Sequence, residues 1–378
     1  MTLMLLIATG LMVKSANHLW HIDPGFDTHN VLTMTISLPN NKFEWRHNVV
    51  FSRQVIDSIE AMPEVRNAAV IQGVPMRAGS FFTSFSIEGR PDTPVDRPSA
   101  RLRVVSPGYF GVMNIAILSG RDYDEHDDLG EVGSLPSVIV NRTLAERFWP
   151  GQEAVGRRVR MSWKSSPSTI IGVVGDVRYT GLDADAGNEF YLPEGLYPQS
   201  AITLLVRTDH DSLPLYPEIH RRIAEVDNDA FVFDVKPMTQ LIAESLAPRR
   251  FSTILLSAFA VVALVLSLAG IYAVIAHSVA QRQVEIGIRI AMGASPSVIT
   301  GVMLRYGLLP VVCGMAFGWS GALAMSRLFA AMLFDVGPFD LPTWGLVSGS
   351  MLAVACLASY LPARRACSVD PTVALRAE

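Results

Sequence analysis

The chain has 378 residues; 50% are hydrophobic and 17% are charged, against about 25% charged in an ordinary soluble domain. Its formal net charge is −4, its lysines are scattered singly (Lys14, Lys42, Lys164, Lys236), and no basic run exceeds two residues. No nucleic-acid-binding surface of the usual basic kind is encoded. The apolar excess is uneven. Residues 15–250 read as polar, globular sequence, and residues 251–363 are mostly apolar apart from one charged stretch. A water-facing domain joined to a membrane domain is expected.

Met1–Val13 is apolar but shorter than the roughly 20 helical residues that cross a hydrocarbon core of ~30 Å. It lacks the basic start and the small-residue cleavage site of a signal peptide. Residues 1–14 are therefore read as a truncated first transmembrane helix, with a weak signal peptide or an irregular start as alternatives.

Residues 15–248 are expected to form an α+β domain. Val31–Leu38 alternates apolar and polar residues as a half-buried strand does, and Phe43–Met62 carries Phe51, Val55, Ile59 and Met62 on one helical face. Further strands are expected at Ala68–Gln72, Phe82–Ile87, Arg101–Val105, Ser137–Val140, Thr169–Val177, Ile202–Arg207 and Phe231–Val235. Helices are expected from Asn141, a good cap, through Phe148, and at Leu213–Val226 and Met238–Leu246. The alternation predicts two small βαβ-type lobes. The three cysteines, Cys313, Cys356 and Cys367, lie outside this domain, so no disulfide holds it.

No catalytic constellation stands out. A P-loop needs Gly-Lys followed by Ser or Thr, and no lysine follows a glycine anywhere in the chain. The acidic run Asp122–Asp128 fails as a calcium loop: its sixth position is Asp127, not glycine, and its twelfth is Gly133, not an acid. His18 and His21 have no third ligand nearby, so no metal site is expected.

Residues 249–378 hold three uncharged stretches long enough to span a membrane, at about 251–276, 306–326 and 341–363. The connector 277–297 carries Arg282 and Arg289, Arg305 follows, and the tail carries Arg364, Arg365 and Arg376. Positive-inside counting puts connector and tail in the cytoplasm and the domain 15–248 outside. Small residues recur every four positions in the last two spans, as Gly314, Gly318, Ala322 and as Gly345, Gly349, Ala353. Such spacing lets helix backbones approach closely. Pro310 removes one backbone hydrogen bond and is expected to kink its span.

Within the connector, Ala280, Val284, Ile288 and Ala291 form one apolar side of a helix. Arg282, Glu285 and Arg289 line another, with Glu285 four residues before Arg289 as an ion pair prefers. Gly293 suits a helix stop, and Ser295-Pro296 suits a restart. Such a segment either rests on lipid or docks a cytoplasmic partner.

The string QRQVEIGIRIAMGAS resembles the cytoplasmic segment of the macrolide-exporter (MacB) and FtsX-like permease family of ABC transporters. DPGFDTHNVLTM, RVVSPGYFGVMNI, LSGRDY, VNRTLAERFWPGQEAVGRRV and TIIGVVGDVRYTGL look like that family's periplasmic core domain, and YLPARRACSVDPTVALRAE like its tail. The likeness is nearest to the second half of the large tandem permeases described from acidobacteria. The resemblance implies a permease that binds no cofactor itself, works with a separate cytoplasmic ATPase dimer carrying ATP and Mg²⁺, and associates with a second permease half or copy. It places Arg282, Glu285, Gly287, Arg289, Gly293 and Ala294 on the ATPase-coupling surface. It also implies export or mechanical transmission across a bacterial inner membrane, with a periplasmic partner in some relatives. The alternative is a membrane-anchored sensor or scaffold without a motor.

Overall fold

The computed structural model describes residues 2–20, 22–39, 45–77, 81–93, 96–124, 126–127, 136–164, 166–196, 201–281, 292, 296–328, 337 and 339–367. Two compact units form: Ile22–Leu246, and Met1–His21 together with Ala247–Glu378.

The first unit opens with strand β1 (Val31–Ser37), helix α2 (Trp45–Glu60) and strand β2 (Val65–Gln72), numbering α1 as the helix that precedes it at Thr2–Trp20. β3 (Phe81–Ile87), β4 (Ser99–Val105), the short α3 (Tyr109–Met113) and β5 (Ile117–Gly120) follow. Next come β6 (Ser137–Asn141), α4 (Arg142–Phe148), β7 (Arg158–Met161), β8 (Ser168–Val174) and β9 (Glu189–Pro193). β10 (Ala201–Thr208), α5 (Tyr216–Val226) and β11 (Phe231–Pro237) complete it.

Four of these strands lie in the order β11-β1-β10-β2, every neighbour antiparallel. β1 and β2 therefore run parallel to each other with β10 inserted between them, joined by α2. β10 and β11 repeat the pattern with β1 between them, joined by α5. This is a pair of interlocked split βαβ units, the ferredoxin-like arrangement. Alternation explains which side is buried. Leu32, Met34 and Ile36 of β1 meet Phe51, Val55 and Ile59 of α2 and Ile219 and Ile223 of α5 in one core. Each such side chain stabilises by about 1.5–3 kcal/mol when fully buried.

The other strands depart from the expected second βαβ lobe. β4 pairs with β3, β3 with β7, β7 with β8, β8 with β6, β6 with β9, and β9 returns to β4. The six strands close on themselves around Phe85, Val138, Val140, Val159, Ile170 and Phe190. Phe85 and Phe190 meet edge to face, with centroids 4.9 Å apart. Only β4–β9 and β6–β8 are parallel. The difference arises because β7 is only four residues long and β9, buried along its whole length, lacks the apolar alternation that marks a strand, yet without them the ring cannot close. The β2–β4 pairing, Ile71 with Val105 and Gln72 with Val104, joins the ring to the four-stranded part.

The second unit is helical: α1 (Thr2–Trp20), the latter part of α6 (Met238–Gln281), α7 (Pro296–Leu328) and α8 (Leu341–Cys367). α7 starts at Pro296, where the restart was expected, and continues through Pro310. The first helix is longer than the expected residues 1–14. It runs on through Lys14, whose ammonium donates to Asp340 Oδ1 at 2.6 Å, and through buried Ser15. Polar residues with partners do not break a helix. Among the described residues, Thr2–Trp20, Met238–Val274 and Leu341–Ala358 are long and apolar enough to cross a membrane, and Leu309–Ala324 is a shorter apolar stretch. Leu3, Ile7 and Leu11, spaced by four along α1, pack with Val311, Met315 and Ala322 of α7 and Val347 and Ala355 of α8.

Candidate functional site

The expected coupling segment lies between the end of α6 at Gln281 and the start of α7 at Pro296. Arg282, Glu285, Gly287, Arg289, Gly293 and Ala294 fall outside the described residues. Met292, the one described residue of that stretch, is a turn residue with 84% of its surface exposed. On the last turn of α6, His277 Nε2 lies 3.0 Å from Gln281 Nε2.

The glycines expected to pack helices divide. A Cβ on Gly318 would stand 2.9 Å from Leu3 Cδ2, so α1 approaches α7 closely there. At Gly314, Gly345 and Gly349 a Cβ would meet nothing within 4 Å among the described residues. Close approach falls instead at Gly10, 2.8 Å from Thr343 Cγ2, and at Gly321, against Met4. Thr2 and Thr9 of α1 reach α6 through Ser267 Oγ at 2.5 Å and the Leu256 carbonyl at 3.3 Å.

In the α+β unit, the segments that carry Tyr109, Tyr123 and Tyr179 converge on one buried polar cluster. Tyr109 Oη and Tyr179 Oη share a hydrogen bond of 2.7 Å, and Tyr123 Oη donates to the Tyr191 carbonyl at 2.6 Å. Tyr123 also accepts from Ile139 N at 3.0 Å. The Arg103 guanidinium lies 3.9 Å over the Tyr179 ring. Glu189, fully buried at the start of β9, accepts from Tyr191 Oη at 3.3 Å. Arg101 and Arg103 stand 3.7 and 3.9 Å from its Oε1, beyond hydrogen-bonding distance. Burial raises the Glu189 carboxyl to about 7, against the pull of the two arginines. Burial likewise pushes the hydroxyls of Tyr109, Tyr179 and Tyr191 well above their ordinary range.

Around this cluster the same segments do structural work. Asp176 accepts from Asn141 Nδ2 at 2.7 Å, Thr143 N at 2.9 Å and Thr143 Oγ1 at 3.0 Å. Asn141 Oδ1 in turn caps α4 through Leu144 N at 3.3 Å and accepts from Glu189 N at 3.0 Å. At Gly25, with φ +85°, any Cβ would stand 1.9 Å from the Asp176 carbonyl oxygen. The acidic run is engaged in ordinary pairing: Asp127 accepts from Arg121 and from Ser137 Oγ. Among the described residues no group of three or more His, Cys, Asp or Glu is placed to hold a metal.

Sequence reasoning missed Glu189, Arg103 and Tyr191. Their signal was weak. A charged residue in a short strand reads as surface, although tyrosines recurring beside glycines in RVVSPGYF, LSGRDY and VRYTGL marked the three segments that meet here.

An α+β unit joined to long apolar helices is the layout of a membrane protein with a water-facing domain. The MacB-like periplasmic core domain matches residues 1–228, and the FtsX-like permease C-terminal domain matches residues 257–371. The chain belongs to the MacB- and FtsX-like family of ABC transporter permeases, inner-membrane proteins with a periplasmic domain. It is 26% identical over 360 residues to the macrolide export ATP-binding/permease protein MacB of Azoarcus sp. strain BH72, covering 92% of this chain and 51% of that protein. To the uncharacterized ABC transporter permease YknZ of Bacillus subtilis it is 24% identical, covering 83% of this chain and 78% of the relative. The chain thus spans about half the length of most curated MacB relatives it matches. The crystal structure of the periplasmic region of MacB from Actinobacillus actinomycetemcomitans aligns with 18% identity and a TM-score of 0.36, covering 56% of this chain and 90% of that one.

Proposed function

We propose that this chain is the permease part of an ABC export complex and acts as a mechanical transmitter. A separate P-loop ATPase dimer carries ATP and Mg²⁺ and docks on the cytoplasmic connector 277–297. Nucleotide-driven motion of the connector passes along α6 to the periplasmic domain, which changes shape and moves cargo or a periplasmic partner outward. A second permease copy or half completes the complex within the lipid. The observation that carries this reading is α6 itself. Its 44 residues, Met238–Gln281, run unbroken from the end of β11 to the edge of the connector, about 66 Å of helix. Pro248 withholds one backbone donor on the way, and Ser252 Oγ hydrogen-bonds the Pro248 carbonyl at 3.0 Å. The relatives named ATP-binding/permease proteins combine both activities in a longer chain. These 378 residues hold no Gly-Lys pair, and in this reading the motor is a separate P-loop ATPase.

The connector carries the test. Glu285→Lys replaces the attraction to Arg289, four residues on, with like charges. The variant is expected to reach the membrane at normal levels and to lose at least tenfold in ATPase retention on co-purification. Unchanged retention and unchanged export would remove the docking role from this segment.

A further inference from the structure

The buried Tyr–Arg–Glu cluster sits at the seam between the two cores of the periplasmic domain. α3 packs on β2 and β10 of the four-stranded part, and Arg207 of β10 donates to its Val112 carbonyl. From that position α3 sends Tyr109 and Phe110 across to the ring. Tyr109 bonds Tyr179, and Phe110 stacks edge to face on Tyr191 at 5.0 Å. Met76 N, just after β2, adds a bond of 2.9 Å to the Tyr179 carbonyl. The strand pairing that crosses the seam is only two residue pairs long. Side-chain contacts therefore hold the two cores against each other as much as the ladder does.

We infer that Glu189 is the switch of this seam: protonated, it leaves the two cores closed on each other, and ionised, it favours an arrangement in which the seam opens and water reaches the carboxylate. Arg101 and Arg103 approach from β4, Tyr191 from its own strand, Tyr179 and Asp176 from the segment after β8, and Tyr109 through Tyr179 from α3. One carboxylate oxygen accepts a single long bond from Tyr191, and the other, Oε1, has no hydrogen-bond donor within the closed seam. A buried carboxylate so poorly served is unfavourable unless it is protonated or hydrated. The sign follows from linkage. The carboxyl's folded value, about 7, lies above its ordinary 4.5, so the closed form is fully favoured below about 4.5 and loses that advantage as pH rises through about 7. The switch does not rest on the transporter reading, and its test needs no ATPase.

The test uses the full chain in lipid nanodiscs, with Cys313, Cys356 and Cys367 replaced by serine. Spin labels go at Gln54→Cys on α2 and Glu146→Cys on α4, both exposed positions on opposite sides of the seam. Between pH 4.5 and 8.5 the interlabel distance distribution is expected to shift from one population to a second, with the change falling between about 4.5 and 7. Glu189→Gln should hold the low-pH population throughout. Tyr109→Phe, which loses the hydroxyl bond across the seam and keeps the carboxyl, should raise the second population already at pH 4.5. A wild-type distribution constant across the range would overturn the inference, as would a Glu189→Gln variant that keeps the pH dependence. Should Glu189→Gln fail to fold, a Tyr109→Phe distribution identical to wild type would overturn it as well.

Discussion

In the periplasmic unit large aromatic side chains fill the interior: Phe85 and Phe190 inside the closed ring are fully buried and Phe110 is 1% exposed, while others such as Phe82 and Phe231 lie on the unit's surface. Along the apolar part of α6 the pattern inverts. Phe251 and Leu266 are each 67% exposed, and the buried position is Ala260. The close contacts of the helical unit likewise fall at small residues, Gly10, Gly318 and Gly321. Expelling water drives the first arrangement, and it has no counterpart between helices whose surroundings are as apolar as their side chains. There, close backbone approach and a few hydroxyl contacts, such as Thr2 with Ser267 and Trp319 with Ser348, hold neighbours together. Phenylalanine fills a core in the closed ring, as at Phe85 and Phe190, and lies on the outer surface of α6, as at Phe251.

The contrast is sharpened by truncating a large apolar side chain in each unit. Phe190→Ala should destabilise the periplasmic unit by about 3–5 kcal/mol, because it leaves a cavity beside Phe85 that the closed ring cannot collapse around. Leu266→Ala should change stability by under about 0.5 kcal/mol, since two-thirds of that residue's surface is exposed. Urea denaturation of the full chain in detergent, followed by tryptophan fluorescence, separates the two. Comparable losses in both variants would break the comparison.

A smaller effect is expected at the helix contacts. Gly318→Leu drives a side chain into Leu3 and should destabilise the α1–α7 packing by about 1–3 kcal/mol. Gly345→Leu, where a Cβ would meet nothing within 4 Å among the described residues, should leave thermal unfolding of the monomer in detergent within experimental scatter. Equal loss from both would show that small residues matter at Gly345 through a contact beyond this chain, such as a second copy.

Much of this was legible in sequence where one physical signal dominates. Charge-free runs of twenty residues marked α6, α7 and α8, and alternation in VLTMTISL marked β1. The proline at Pro296 marked a helix start. What stayed hidden depends on contacts between distant segments. β9 carries Glu189 and ends in Pro193, and it reads as a loop until β4 and β6 are placed on either side of it. The cluster of Arg103, Glu189 and four tyrosines was invisible for the same reason. The four-residue glycine spacing locates a helix face and does not say which faces meet another helix. Among the described residues, Gly318 meets α1 at Leu3.

The central claim is that this permease works with a separate motor. It is tested most directly by purifying the tagged chain from native membranes in mild detergent and identifying its companions by mass spectrometry. A P-loop ATPase at stoichiometric level is the expected result. Intact, folded protein that comes repeatedly without any ATPase would contradict the account and leave a membrane-anchored domain with no engine.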